Sequence, residues 1–278
     1  MTNHVQDKTI IVTGAASGFG RLICQKAISA GAKVVCADIN EGLLNTVVQE
    51  LIGAGGRAIG QHTDVSDLSQ MRGLATKAVE HFGRIDVMVN NAGVMPLAFY
   101  ADHADASAKW SQCIDINIKG VLHGIISVYD QMMAQEEGHV INISSIYGNF
   151  PVAGAGVYGA SKAAVNFLSE SLRVEARGKI KVTTVKPTGV PATGLSAGIV
   201  NPEAVIGIVC QNQPEFQSTM QSIADGQVDP KVVNQDSIGC AVLEPDYIAD
   251  QVIYAINHPK GVTVGDITMR GSGDYFVL

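Results

Sequence analysis

The sequence is poor in aromatic residues (5%), in charged residues (16%) and in proline (nine), and it has a single tryptophan. Low charge beside 46% apolar content excludes an intrinsically disordered chain, which would have too little apolar surface to offset the entropy of ordering. There is no basic cluster, and 19 Lys and Arg against 26 Asp and Glu leave a formal net charge of −7, so neither a nucleic acid nor a membrane surface is expected as a partner. No apolar run reaches the roughly 18 residues of a membrane span. Residues Met1 to Asp7 hold neither the basic region nor the apolar core of a secretory signal, and a cytoplasmic protein is expected. The five cysteines (Cys24, Cys36, Cys113, Cys210, Cys240) are odd in number, widely spaced and set in apolar surroundings, as free thiols are in a reducing compartment; no disulfide is expected. Seven histidines form no H-x-x-x-H or H-E-x-x-H pattern, so a zinc hydrolase is disfavoured and no metal is expected. No serine lies three residues before a lysine, which removes one of the usual serine-hydrolase signatures.

Glycine, by contrast, is abundant: 30 of 278 residues, without the three-residue period of collagen. Short Val/Ile-rich runs alternate with longer amphipathic stretches, the pattern of repeated βαβ units. Strands are predicted at 8–13, 33–38, 57–62, 85–90, 139–144, 180–186 and 262–269, and helices at about 18–30, 41–53, 67–82, 107–134, 156–178 and 246–257. Several strands are continuously apolar, as expected of a parallel sheet with helices on both faces, so the fold class is α/β. No linker or charge shift divides the chain, and one domain over 1–278 is expected. The stretch 188–244 lacks a strand pattern, carries Pro191, Pro202, Pro214 and Pro230, and is long enough to expect an extended substrate loop or lid.

The first strand runs into Thr13-Gly14-Ala15-Ala16-Ser17-Gly18-Phe19-Gly20 and then a helix. A glycine turn there lets backbone approach a pyrophosphate at a helix N-terminus, although the spacing is G-x-x-x-G-x-G rather than the commoner G-x-G-x-x-G. The second strand ends at Asp38, placed to accept bonds from ribose hydroxyls and to repel a 2′-phosphate. No Arg or Lys adjoins it, Ile39 following, so NAD is favoured over NADP; as a mere helix N-cap Asp38 would not explain its pairing with the glycine loop. Asp64-Val65 and Asn90-Asn91-Ala92-Gly93 stand at the carboxyl ends of the third and fourth strands, where open parallel sheets bind ligands. Asp64 could equally be a turn residue before a Ser66 cap. Tyr158 and Lys162, four apart on a helix, share a face, and the nearby ammonium should lower the phenol's pKa from near 10 toward general acid/base use. Ser144-Ser145 end the fifth strand beside that helix. Ser144 and Ser161 read as structural, and Trp110 and Tyr100 as packing residues more readily than pocket residues.

On these residues the sequence resembles the short-chain dehydrogenase/reductase family, in its compact group of roughly 250 residues, over nearly the whole chain: TGxxxGxG at Thr13 to Gly20, the acidic selector Asp38, Asp64-Val65, NNAG at Asn90 to Gly93, Asn117, Ser145, and YxxxK at Tyr158 to Lys162. The resemblance implies a Rossmann-type doubly wound sheet of seven parallel strands in the order 3-2-1-4-5-6-7. It implies an NAD(H)-dependent alcohol dehydrogenase or carbonyl reductase in which Tyr158 exchanges a proton with the substrate oxygen. Ser145 bonds that oxygen, Lys162 binds the nicotinamide ribose and Asn117 holds a relay water. The cofactor residues carried over are Gly14, Ser17, Gly18, Phe19, Gly20, Asp38, Ile39, Asp64, Val65, Asn91, Ala92, Gly93, Tyr158, Lys162, Pro187 and Val190. The substrate residues are Ser145, Tyr158, Val94, Tyr147, Val152 and Thr188.

Two departures stand out. Where the family has Pro-Gly-x-Val-x-Thr, this chain has Pro187-Thr188-Gly189-Val190-Pro191-Ala192-Thr193, with Gly and Thr each displaced by one; and the usual TGQ-x-x-x-VDGG is replaced by Val264 to Arg270. Within Thr188 to Cys240 the one cation is Lys231, so a carboxylate, phosphate or acyl-CoA clamp is lacking. A neutral, fairly apolar alcohol, ketone or aldehyde is expected. Small residues on two long helices (Gly120, Gly124, Ala163, Ala164), with the resemblance, imply a homodimer or homotetramer. A non-catalytic NAD-sensing or scaffold protein on the same fold is the alternative, and a lyase or dehalogenase derived from it would have little use for Asp38.

Overall fold

The computed structural model describes residues 2–191 and 193–277. Seven strands, β1 (Thr9–Thr13), β2 (Lys33–Asp38), β3 (Arg57–His62), β4 (Val87–Asn90), β5 (Gly138–Ile143), β6 (Ile180–Pro187) and β7 (Asp266–Met269), form one all-parallel sheet in the order β3-β2-β1-β4-β5-β6-β7. The expected order therefore holds. Helices α1 (Gly18–Ser29), α2 (Glu41–Gly53), α3 (Leu68–Phe82), α4 (His103–Cys113), α5 (Gly120–Gln135), α6 (Gly156–Glu175) and α10 (Pro245–Ile256) cover the two faces. Helix α8 (Gln213–Ala224) and the short helices α7 (Ile206–Val209) and α9 (Pro230–Val233) occupy the stretch expected as a loop.

Burial explains the continuous apolar strands. In β1 every residue is buried, yet successive side chains enter different cores: Ile10 and Val12 join a cluster with α1 and α10 residues such as Ile23 and Val252, while Ile11 joins a second with Leu74 of α3 and Val121 of α5. Because β1 pairs with β2 on one side and β4 on the other, the strand order reverses at β1, and the carboxyl edge at such a switch point is where an open parallel sheet forms its ligand crevice.

Two strands start more than one residue from the sequence reading, for identifiable reasons. β4 starts at Val87 rather than residue 85, since the Ile85 amide donates to the Gln135 side chain (3.1 Å) and the Asp86 carboxylate accepts from the Thr9 amide (2.8 Å). β7 starts at Asp266 rather than 262, since the carbonyls of Val262 and Val264 accept from Lys181 Nζ (3.2 Å) and Thr183 Oγ1 (2.6 Å) instead of from a ladder. The helix expected over 107–134 begins at His103 and passes from α4 to α5 through a π-helical turn, Ile114–Lys119. Such turns collect at functional sites. All five cysteines are free.

Candidate active site

The turn after β1 needs its glycines. Gly14 (φ +65°) and Gly18 (φ +49°) sit in the left-handed region, and a Cβ on Gly18 would lie 2.8 Å from the Thr193 carbonyl oxygen. Gly20 has an ordinary φ but faces the turn so closely that a Cβ would overlap the Gly14 carbonyl. Ser17 precedes α1 without a side-chain cap, and the first turn of α1 holds no acidic residue, so its amides and dipole face the crevice without an internal counter-charge. That cradle fits a dinucleotide pyrophosphate.

Asp38 accepts the Ala16 amide (3.0 Å) and the Asn40 amide (2.9 Å), fixing its carboxylate across from the glycine turn; the N-cap of α2 is Asn40, not Asp38. Asp64 accepts both the amide and the hydroxyl of Ser66 (2.9 and 2.7 Å), and the cap of α3 is Asp67 rather than Ser66. The segment after β4 is stitched to the segment after β1: Asn91 donates from Nδ2 to the Thr13 and Gly14 carbonyls (2.9 and 3.2 Å), and the amides of Asn91 and Ala92 donate to Thr13 Oγ1 (3.0 and 3.2 Å). Beneath them the Asn90 amide donates to Asn142 (2.8 Å), whose own amide donates to Ser169 (2.8 Å), a buried chain joining β4, β5 and α6.

Ser145 lies just past β5 in extended backbone, and Tyr158 and Lys162 project from α6, all three buried (7%, 3% and 6% exposed). Lys162 Nζ donates to the Ile143 carbonyl (2.9 Å) and lies 5.8 Å from the centre of the Tyr158 ring. Tyr147 packs edge-on against that ring, 5.5 Å between centroids. Ser144 binds the Lys162 carbonyl and Asn166 (3.2 and 2.7 Å), tying β5 to α6 as a structural residue.

The electrostatics depart from expectation. Burial pushes the Tyr158 phenol above its ordinary value; the hydrogen bond with Ser145 opposes this, and Cys113 adds to the rise. Burial also lowers Lys162 to about 8. Desolvation disfavours both charged forms at once, so in the protein alone the ammonium does not bring the phenol down. Lys162 in the unfolded chain keeps its proton to near 10.5, and in the folded chain only to about 8. Between those values the unfolded state binds more protons, so this group makes stability rise with pH across that window, by up to about 1.4 kcal/mol per pH unit. Melting curves at pH 8 and 9.5 should show the rise in the native chain and a flatter response in Lys162→Met; an identical slope in both would refute this assignment.

One continuous cavity of about 630 Å³ is lined by Gly14, Ser17, Gly18, Phe19, Asp38, Ile39, Asp64, Val65, Asn91, Ala92, Gly93, Val94, Ser145, Tyr147, Tyr158, Lys162, Pro187, Thr188 and Val190. Three expected residues are not on its wall. Gly20 lies beneath the turn. Val152, in the turn closed through the Ala155 amide (3.2 Å), packs behind the wall in the cluster that also holds Leu97, Tyr158 and Val205, and those three rather than Val152 line the cavity. Asn117 is 1% exposed in the π turn: it accepts the Val94 amide (2.9 Å) and donates to the Val94 carbonyl (2.9 Å), Ser161 (3.0 Å) and Cys113 (3.3 Å). Its side chain clamps the cavity wall at Val94. Trp110 donates to the Pro96 carbonyl (3.2 Å) and packs against Tyr100, and neither lines the cavity. Lining residues that the motifs did not reach include Leu97, Ile199, Ile223, Tyr275 and Phe276. Lys162 is the one cation on the wall among the described residues, against Asp38 and Asp64. These residues contain no cluster able to hold a metal, and no helix long and apolar enough to cross a membrane.

A family model described as short chain dehydrogenase matches residues 8–204. An uncharacterized oxidoreductase of Staphylococcus saprophyticus is 33% identical over 270 residues, covering 97% of this chain and 98% of that one. Among solved structures, a short-chain dehydrogenase/reductase of Burkholderia phymatum in complex with NAD superposes with a TM-score of 0.75 at 31% identity, over 96% of this chain and 90% of that one. A metagenomic short-chain oxidoreductase in complex with NADP gives 0.72 at 28% identity, over 96% and 98%.

Proposed function

The chain belongs to the short-chain dehydrogenase family of nicotinamide-dinucleotide oxidoreductases, and from that premise we propose that it interconverts a neutral, fairly apolar secondary alcohol and its ketone, or an aldehyde, using NAD(H). The observation that carries the reading is that the uncapped start of α1 and the Ser145, Tyr158 and Lys162 side chains open into one cavity. Gly14, Gly18 and the α1 amides would hold the pyrophosphate, Asp38 the adenosine ribose, Lys162 the nicotinamide ribose, and Pro187 and Val190 the nicotinamide end. The dinucleotide supplies or accepts the hydride. The protein then has to orient the substrate, stabilise charge on its oxygen and move one proton. Tyr158 Oη is the proton donor in reduction and the acceptor in oxidation; Ser145 Oγ donates to the same oxygen. Asn117 acts at a distance, by holding Val94 in the wall.

The wall's charge supports the neutral substrate, because a carboxylate or phosphate would meet no arginine and only the lysine assigned to the ribose. It also supports NAD: a 2′-phosphate beside Asp38 would face like charge, and the one cation on the wall among the described residues, Lys162, is the one assigned to the nicotinamide ribose. A panel of alcohols and ketones followed through NADH and NADPH absorbance tests both points. Activity confined to hydroxy acids or acyl thioesters would sink the substrate reading, and equal efficiency with NADP the cofactor reading. Asp38→Ser combined with Ile39→Arg is expected to move the NAD:NADP ratio of kcat/KM toward NADP by roughly a hundredfold, since it removes a repulsion and adds a phosphate partner.

The chain is read as one domain acting as a homodimer or homotetramer. Exposed apolar residues on α5 and α6, including Phe167 (78%) and Val174 (75%), support self-association.

A further inference from the structure

Six aromatic side chains, Phe19, Tyr147, Tyr158, Phe216, Tyr275 and Phe276, line the cavity of a chain in which only 5% of residues are aromatic. Two of them come from the segment that follows β7, and that segment is firmly built. Arg270 pairs with Asp274 (2.5 Å), whose carboxylate is 2% exposed and also accepts the Phe276 amide (3.3 Å); Arg270 bonds the Phe276 carbonyl as well. The Tyr275 carbonyl accepts from Asn212 (2.9 Å), its hydroxyl shares a hydrogen bond with Thr219 of α8 (2.7 Å), and its ring meets Phe216 edge-on at 5.9 Å. The Val277 amide donates to the Ile208 carbonyl (3.1 Å). Tyr275 and Phe276 thereby pack on the cluster of Ile146, Ile208 and Val209, and Ile146 directly follows Ser145.

The displaced glycine of the sixth-strand motif fits into this arrangement. The Phe276 ring lies on the backbone of Gly189, and a Cβ there would overlap the ring. Gly at 189 rather than at 188 makes room for Phe276 at the carboxyl edge of β6, and Thr188, now beside it, leaves its Oγ1 buried without a partner.

We propose that Tyr275 and Phe276 select the substrate, admitting an uncharged ketone or alcohol whose ring lies against theirs, and that Gly189 is the matching position that seats Phe276. The proposal rests on the dehydrogenase reading and deepens it. Aromatic rings favour edge-to-face or offset contact with another ring, and the box has no charge to recognise anything more polar. Truncating Phe276 leaves a hole where a ring should bind, whereas a small ketone never reached it.

The experiment compares acetophenone with acetone as substrates in the unaltered protein, Phe276→Ala, Gly189→Ala and the double variant, with NADH affinity measured by fluorescence titration and acetophenone affinity by calorimetry. The unaltered protein should prefer acetophenone in kcat/KM. Phe276→Ala should cut that preference roughly tenfold or more, mainly through KM, with acetophenone binding weakened in parallel. Gly189→Ala should do the same by unseating the ring, and should add less than threefold once Phe276 is gone, because the two changes break one contact. Independent, multiplicative losses, a preference unchanged in Phe276→Ala, or an NADH affinity falling by the same factor would each overturn the proposal. Failure of turnover with every alcohol and ketone, beside acetophenone binding that depends on Phe276, would refute the dehydrogenase reading and leave the wall standing. Reduction of both ketones with no sensitivity to Phe276 would do the reverse, and neither binding nor turnover of acetophenone would overturn both.

Discussion

Tyr158→Phe is expected to lower turnover by about a thousandfold or more while NADH binding stays within a factor of two or so. A positioned acid/base is worth roughly 10² to 10⁴ in rate, and the phenol hydroxyl, on the cavity wall and bonded with Ser145, is the acid/base of the proposed reaction. The ring itself is unaltered, so its edge-on contact with Tyr147 and its place in the wall remain. Stability should fall only modestly, by about 1 kcal/mol, since the substitution removes the hydroxyl that bonds Ser145 and leaves that side chain a partner short. Steady-state rates in both directions, NADH fluorescence titration and a melting curve make the comparison. Native-like turnover in the variant would remove Tyr158 from the proton transfer, and lost NADH binding would show that the hydroxyl serves the cofactor site instead.

The second large effect is expected from Gly20→Val. A Cβ at residue 20 would overlap the Gly14 carbonyl oxygen and lie 2.7 Å from Asn91 Nδ2, and both neighbours are held: Asn91 by its two bonds to the turn, Gly14 by the positive φ that the turn requires. The helix must move away from the turn, taking its amides with it. The cost is about 3 kcal/mol of stability, the upper end of overpacking. NADH affinity should fall roughly a hundredfold, about 2.7 kcal/mol. Gly53→Ala is the control, because a Cβ at the end of α2 meets nothing within 4 Å and should leave both quantities near native values. Equal behaviour of the two variants in melting and NADH titration would mean that close approach at Gly20 is not what the turn depends on.

How far the sequence could be read follows from how locally each feature is encoded. Six helices and seven strands announce themselves because their apolar residues repeat along the chain; a ladder or a helix turn is a short-range object. Their ends are less legible, since β4 is cut short by Gln135 and β7 by Thr183 and Lys181, side chains far away in sequence. The side of the cavity assigned to the dinucleotide in the proposed function is readable for the same reason as the strands: its segments are contiguous motifs. The side assigned to the substrate is not. Ile199, Ile223, Tyr275 and Phe276 reach the wall from 3₁₀ turns, from α8 and from the segment after β7, and no local period marks such residues. Phe276 had one signal in plain view, the glycine displaced to 189, but only the folded chain brings the two together. The phenol's pKa was misjudged because spacing along a helix reports proximity to Lys162 and says nothing of how dry the surroundings are.

The sheet, finally, is a partition. Ile11 faces the layer of α3 and α5 while Ile10 and Val12 face that of α1 and α10, so every strand residue carries an address as well as a hydropathy. Exchanging Ile11 and Val12 would leave composition and hydropathy untouched yet carry one methylene through the partition, opening a void in one layer and crowding the other. Two separate interiors share one ribbon of backbone, and volume cannot be lent between them.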